Sequence, residues 1–168
     1  MQKITIYLEG KSLFSNKNEA IELCKQSNFG EDKTGKVVYS IFEVLYLLEK
    51  ERAELIDERN KKIAFKELIK KIKDNSPYLV YKDLRDKGRI VKEGLKFGTD
   101  FRVYEKGQKP GKNHAPYLLH VVNSNQIKTK DFCAKSRVAH STAKKLLLAI
   151  IDSQEDISYY EVNWKNIL

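Results

Sequence analysis

The sequence predicts a mixed α/β protein in two parts: a small α/β domain over residues 1–75 and a mixed-sheet domain over residues 76–168. Three observations carry this. Segments that alternate apolar and polar residues recur along the chain, as half-buried strands do. Between them, apolar residues fall at helical spacing. The run Lys73-Asp-Asn-Ser76 ahead of Pro77 then punctuates the chain near its middle.

Residues 3–9 alternate as a strand, continuing a pattern that begins at Met1, and residues 16–26 suit a short helix. Residues 30–36, charged and carrying two glycines, read as a turn. Residues 37–39 form a short strand leading to Ser40, whose partner Glu43 three positions on completes a capping box. Ile41, Val44, Leu45 and Leu48 then make residues 41–51 an amphipathic helix, and Phe65, Leu68, Ile69 and Ile72 repeat the spacing over residues 64–73. Nothing in this half has the residue types of a catalytic site, so its expected role is packing and assembly.

Ser76 as N-cap and Pro77 at the first helical position open a helix that Gly88 closes. Strands are expected over 89–92, 100–105, 117–122, 145–151 and 157–162, with a helical segment at 129–142. A polar, glycine-rich loop at 107–116 carries His114. This order gives a sheet with one face covered, and Phe97, Phe101 and Val103 are expected in its core. Gly88, Gly94 and Gly98 mark turns where a side chain would clash or a positive φ is needed.

The chain of 168 residues is long enough to bury a core without disulfides, and no apolar run reaches the roughly 18–20 residues of a membrane span. The first residues lack the apolar core and cleavage site of a signal peptide. Cys24 and Cys133, far apart and outside any C-x-x-C pattern, read as free thiols of a cytoplasmic protein. Net charge is +9, unevenly spread: +2 over residues 1–76, +10 over 77–151 and −3 over 152–168. In the basic block Phe97, Phe101, Tyr104 and Tyr117 alternate with Lys and Arg, a composition that neutralises phosphates and offers faces for base stacking.

The block also holds Tyr104, His114 and Lys144, which taken one by one read as a half-buried strand tyrosine, an exposed loop histidine and a solvated lysine at a strand edge; the sequence around them, given below, is what makes them the candidate catalytic residues. A phenol, an imidazole and an ammonium suit cleavage of RNA by its own 2′-hydroxyl. That reaction needs a proton removed from the 2′-oxygen, charge stabilised on the phosphorane, and a proton delivered to the leaving 5′-oxygen. An imidazole, with an ordinary pKa of about 6.5, donates protons near neutrality, and a lysine ammonium is a compact charge that need not titrate. A phenol, ordinarily near about 10, is a weak base at neutral pH; Tyr104 fits either a base aided by a nearby cation or a group that orients the 2′-hydroxyl. No zinc spacing of His and Cys is present. The acid-x-Lys triples, Glu9-Gly-Lys11 and Glu31-Asp-Lys33, lack the preceding aspartate of a magnesium-dependent nuclease, so no metal or other cofactor is expected.

The surroundings of these residues carry a resemblance. Arg85, Gly88, Lys92, Gly94, Lys96, Phe97, Gly98, Asp100 and Phe101 lead into Tyr104, and Arg137-Val-Ala-His140-Ser141 leads into Lys144. This stretch, from about Tyr78 to Tyr160, closely resembles the archaeal tRNA-splicing endonucleases, and the likeness continues more weakly through the first half. The resemblance implies a C-terminal nuclease domain of restriction-endonuclease-like type. It implies excision of introns from precursor tRNA at bulge–helix–bulge sites, leaving a 2′,3′-cyclic phosphate and a 5′-hydroxyl. Tyr104 would be the base, His114 the acid and Lys144 the stabiliser.

Arg137, seven residues before the lysine, would stack on an extruded bulge nucleotide as the opposite subunit's contribution. The second member of that clamp does not map cleanly; Tyr159, Tyr160 and Trp164 are candidates. In the resembled family an acidic loop like Asp152, Glu155 and Asp156 docks on another subunit, and chains of this length form homotetramers or pair with a second, noncatalytic chain; the resemblance favours the homotetramer, a dimer of dimers. The competing readings are a noncatalytic RNA-binding subunit of such a complex, which would be expected to lack one of the three residues, and a metal-dependent DNA nuclease of similar fold.

Overall fold

A computed structural model describes residues 3–123 and 127–165. Met1 and Gln2, which the sequence places in the first strand's alternation, lie outside the described residues. The chain divides into two compact units, Met1–Asn75 and Ser76–Leu168.

The first unit is a six-stranded mixed sheet in the order β3-β4-β2-β1-β5-β6. Its strands are β1 (Ile4–Glu9), β2 (Ser12–Ser15), β3 (Glu31–Lys33), β4 (Lys36–Tyr39), β5 (Ala53–Asp57) and β6 (Lys62–Ile63). Helices α1 (Asn18–Ser27), α2 (Ile41–Glu49) and α3 (Phe65–Ile69) complete it. The capping box at α2 is formed: Ser40 Oγ accepts from Glu43 N, and Glu43 Oε2 accepts from Ser40 N. The other Glu43 oxygen accepts from Gly30 N at 2.9 Å, so a buried carboxylate ties the helix start to the preceding hairpin.

Several elements differ from expectation. The charged turn at 30–36 contains strand β3, which folds back on β4 through Thr34 and Gly35. The helix expected over 64–73 stops at Ile69. Strands β2, β5 and β6 had no sequence expectation at all. β5 pairs in parallel with β1, Ile4 opposite Ala53, a contact between distant residues that local periodicity does not report.

The second unit is a five-stranded sheet in the order β11-β10-β9-β8-β7. Its strands are β7 (Ile90–Glu93), β8 (Phe101–Tyr104), β9 (Tyr117–Val122), β10 (Lys145–Ile151) and β11 (Ile157–Val162), with helices α4 (Ser76–Asp86) and α5 (Thr129–Ser141). Ser76 lies within α4 rather than capping it. β10 runs parallel to β9 and antiparallel to β11.

Both faces of this sheet are covered, not one. Leu118 and Leu119 are each fully buried and, being successive in β9, point to opposite faces. On one face Leu118, Leu146 and Leu148 pack with Ala139 of α5. On the other, Phe101, opposite Leu119 in register, meets Tyr81 of α4 with ring centres 5.9 Å apart. Phe97 is not a sheet residue. It sits in a single 3-10 turn, Leu95–Phe97, and packs half-buried against the α5 cluster. Gly94 opens that turn because a Cβ there would lie 2.5 Å from Thr99 Oγ1 and 2.9 Å from the backbone of Thr99 and Phe101.

Candidate RNA-cleavage site

Tyr104, His114 and Lys144 line one cleft of about 230 Å³ in the second unit. Each arrives by a different route. Tyr104 is the last residue of β8, paired with Ile90 of β7, and its side chain is buried at the cleft floor. His114 comes from the loop between β8 and β9, where Asn113 N donates to Lys109 O (2.9 Å) and Asn113 Oδ1 accepts from Lys109 N (3.1 Å). These two hydrogen bonds staple the loop just before the histidine. Tyr117 Oη donates to Glu105 Oε1 at 3.0 Å across the loop's base, and this bond holds the Tyr117 phenol above its usual range.

Lys144 is placed by the end of α5. Ala143 adopts a left-handed φ of 54°; its N–H donates to His140 O (3.1 Å), and Lys144 N donates to Ala139 O (2.8 Å). This is the paired closure of a Schellman turn, made here without glycine. Immediately afterwards Lys145 N donates to Pro116 O (2.9 Å), which fastens the start of β10 to the exit of the His114 loop. One hydrogen bond thus brings the lysine and the histidine segments side by side.

The cleft is cationic. Lys96, Arg102, Lys112 and Lys144 line it with His114, and no carboxylate among the described residues does. Lys144 Nζ lies 5.8 Å from the Phe97 ring centre and has no carboxylate partner among the described residues. The His114 ring is exposed and makes no hydrogen bond among them. Arg102 donates from Nε to Glu93 O at 3.0 Å, and Asp100 Oδ2 takes bonds from His120 and from Val121 N. Both therefore shape local geometry, and Arg102 also borders the cleft. Lys96, one of the motif residues, borders it too, as do Lys112 and Asn113, which only their nearness to His114 in the chain signalled. Among the described residues no three His, Cys, Asp or Glu side chains gather as a metal-binding group. A larger cleft, about 510 Å³, lies in the first unit among Lys3, Glu19, Glu22, Lys50, Glu51 and Arg52; it mixes both charges and holds none of the candidate residues.

Arg137 is exposed on α5 and does not line the cleft of its own chain. The clamp candidates separate. The Tyr159 phenol donates to Asp83 Oδ2 at 2.7 Å and so is anchored to α4, whereas Tyr160 and Trp164 are about half exposed, Trp164 stacked on His140 at 5.5 Å. In the acidic loop Asp152 serves the turn itself. Its Oδ1 accepts from Gln154 N (2.8 Å) and Asp156 N (3.0 Å), holding the hairpin between β10 and β11. Glu155 and Asp156 are exposed.

Cys24 and Cys133 form no disulfide, and no described helix is long and apolar enough to cross a membrane. The family profile described as tRNA intron endonuclease, catalytic C-terminal domain, matches residues 75–159, and that of the tRNA intron endonuclease N-terminal domain matches residues 4–69. The chain is 39% identical to the tRNA-splicing endonuclease of Pyrococcus horikoshii over 168 aligned positions, 96% of each chain. It is 40% identical to that of Methanothermobacter thermautotrophicus over 143 positions, 83% of this chain and 84% of the other. The chain belongs to the tRNA intron endonuclease family.

Proposed function

We propose that this chain is an endoribonuclease that excises introns from precursor tRNA at bulge–helix–bulge structures. The observation that carries the reading is the shared cleft: a phenol, an exposed imidazole and an ammonium without a carboxylate partner among the described residues, in a cationic wall. The substrate's 2′-oxygen attacks the adjacent phosphorus as its proton passes to the Tyr104 oxygen, which acts as the base in its deprotonated form. Lys144 stabilises the phosphorane, with Arg102 and Lys112 adding to the positive field. His114 gives a proton to the 5′-oxygen as the bond from phosphorus to that oxygen breaks. The products are a 2′,3′-cyclic phosphate and a 5′-hydroxyl, and no metal enters the chemistry.

The remaining parts of the reading follow from the same family membership. The catalytic unit is of restriction-endonuclease-like type, the first unit serves packing and assembly, and the chain works in the cytoplasm. The working form is a homotetramer in which the Glu155–Asp156 corner docks on another subunit and Arg137 reaches a bulge nucleotide at the cleft of the opposite subunit.

The test is cleavage of a prefolded bulge–helix–bulge RNA by the purified chain alone, in EDTA. Cyclic-phosphate ends are expected, and a 2′-deoxy substitution at the cleavage position should abolish the reaction. Restoration by one divalent ion of an activity lost in EDTA, or cutting of the deoxy substrate, overturns the mechanism.

A further inference from the structure

A second cleft, of about 210 Å³, opens on the α5-covered face of the same sheet and includes His120, Asn123, Lys128 and Asp131 among its walls. His120 stands two residues after Leu118 in β9, so both side chains face α5. Asp100 Oδ2 takes His120 Nδ1 at 2.8 Å and Val121 N at 2.9 Å. The carboxylate is thereby fixed by the backbone, and it fixes the ring. Nε2 is left as the nitrogen that can reach a ligand. Lys128, exposed, has no carboxylate within ion-pairing distance among the described residues.

The placement relative to the cleavage cleft matters. Lys128 immediately precedes α5 and Lys144 follows its closing turn, so the two clefts sit at opposite ends of a helix of thirteen residues, about 20 Å long. Lys130 and Arg137, both exposed and seven positions apart, share the outer side of that helix between them. A row of cations therefore joins the two clefts.

We propose that the second cleft holds a backbone phosphate of the RNA between Lys128 Nζ and protonated His120 Nε2, with the strand lying along α5 toward Lys144. This rests on the reading of the chain as a ribonuclease and adds a contact away from the scissile bond. Donation from Nε2 requires the imidazolium, because Nδ1–H is already given to Asp100. The charged groups facing His120 are Asp100 from the turn before β8, and Lys128 and Asp131 from the start of α5; β10 contributes only Leu148 beside it. Asp131 opposes an anion, so it is a built-in control.

The experiment measures affinity for a bulge–helix–bulge RNA made uncleavable by 2′-deoxy substitution, as a function of salt. Lys128→Ala should weaken binding about fivefold to tenfold and lower the salt slope by about one, because one phosphate contact is gone. His120→Gln keeps a polar side chain but cannot carry a charge, so it too should weaken binding of the RNA. Asp131→Asn should bind RNA more tightly, a result that misfolding cannot imitate. Wild-type affinity in both Lys128→Ala and His120→Gln, with normal cleavage by the wild-type chain, overturns the proposal. If the wild-type chain neither binds nor cleaves the RNA, the ribonuclease reading fails and takes this one with it.

Discussion

Lys144 Nζ sits 5.8 Å from the centre of the Phe97 ring, which Lys96 Nζ approaches at 5.5 Å. The ring face attracts the ammonium without neutralising it, whereas a carboxylate at the same place would cancel the charge the phosphorane needs. Phe97→Leu should therefore reduce the rate of the cleavage step about threefold to tenfold, the size of one cation–π contact, with RNA affinity little changed. Phe97→Tyr should retain the rate. Single-turnover kinetics at saturating protein checks both, and equal losses in the two variants would rule out the contact with the ring face.

His114→Ala removes the proposed acid from an exposed loop position. The cleavage rate should fall by about 10²–10⁴, while the dissociation constant for uncleavable RNA stays within about twofold. A matching loss of affinity would mean that the imidazole binds substrate rather than serving the leaving group.

Gly94 tests packing. Its φ of −102° suits any residue, so the obstacle to a side chain is contact alone, with Thr99 and the backbone before Arg102. Gly94→Ala should destabilise the protein by about 1–3 kcal/mol in urea unfolding. Thr99→Ala should not restore it, because two of the three close atoms are backbone.

Burial, and after it the hydrogen bond to Asp83, push the Tyr159 phenol above the usual tyrosine range. The folded protein thus favours the protonated phenol. This contribution is complete below the ordinary tyrosine pKa of about 10 and is lost as pH rises toward the higher folded value. Tyr159→Phe should cost about 1–2 kcal/mol near neutrality, and the gap from wild type should narrow above about pH 10. Unfolding curves at the two pH values decide it; a constant gap would contradict the linkage.

The acidic hairpin separates shape from docking. Asp152 builds the turn, while Glu155 and Asp156 project from it. The double variant Glu155→Lys, Asp156→Lys should fold normally yet show about half the wild-type mass by light scattering, if the tetramer forms through this corner. An unchanged mass would place the dimer-to-dimer contact elsewhere.

The second unit was the more legible. Residues 117–122, 145–151 and 157–162 carry enough alternating or continuous apolar residues to mark β9, β10 and β11, and those strands have the expected bounds. The Ser40–Glu43 box is local and was read directly. Strands such as Lys62–Ile63 are too short to show a period, and Ala53–Asp57 becomes a strand because Ile4–Glu9 lies beside it. Phe97 was misplaced because apolar spacing was carried across Gly98, where the backbone turns through a left-handed φ of 69°.

The amino-acid sequence by itself determined the chemistry available: which phenol, imidazole and ammonium stand in a basic segment, and which motif residues surround them. Tertiary structure alone decided that they meet. Their convergence depends on the closure of α5 at Ala143 and on the bond from Lys145 N to Pro116 O, and neither leaves a periodic trace in the chain. Side-chain type is written locally, whereas the distance between residues forty positions apart is set by strand pairing and packing, which only the folded chain specifies.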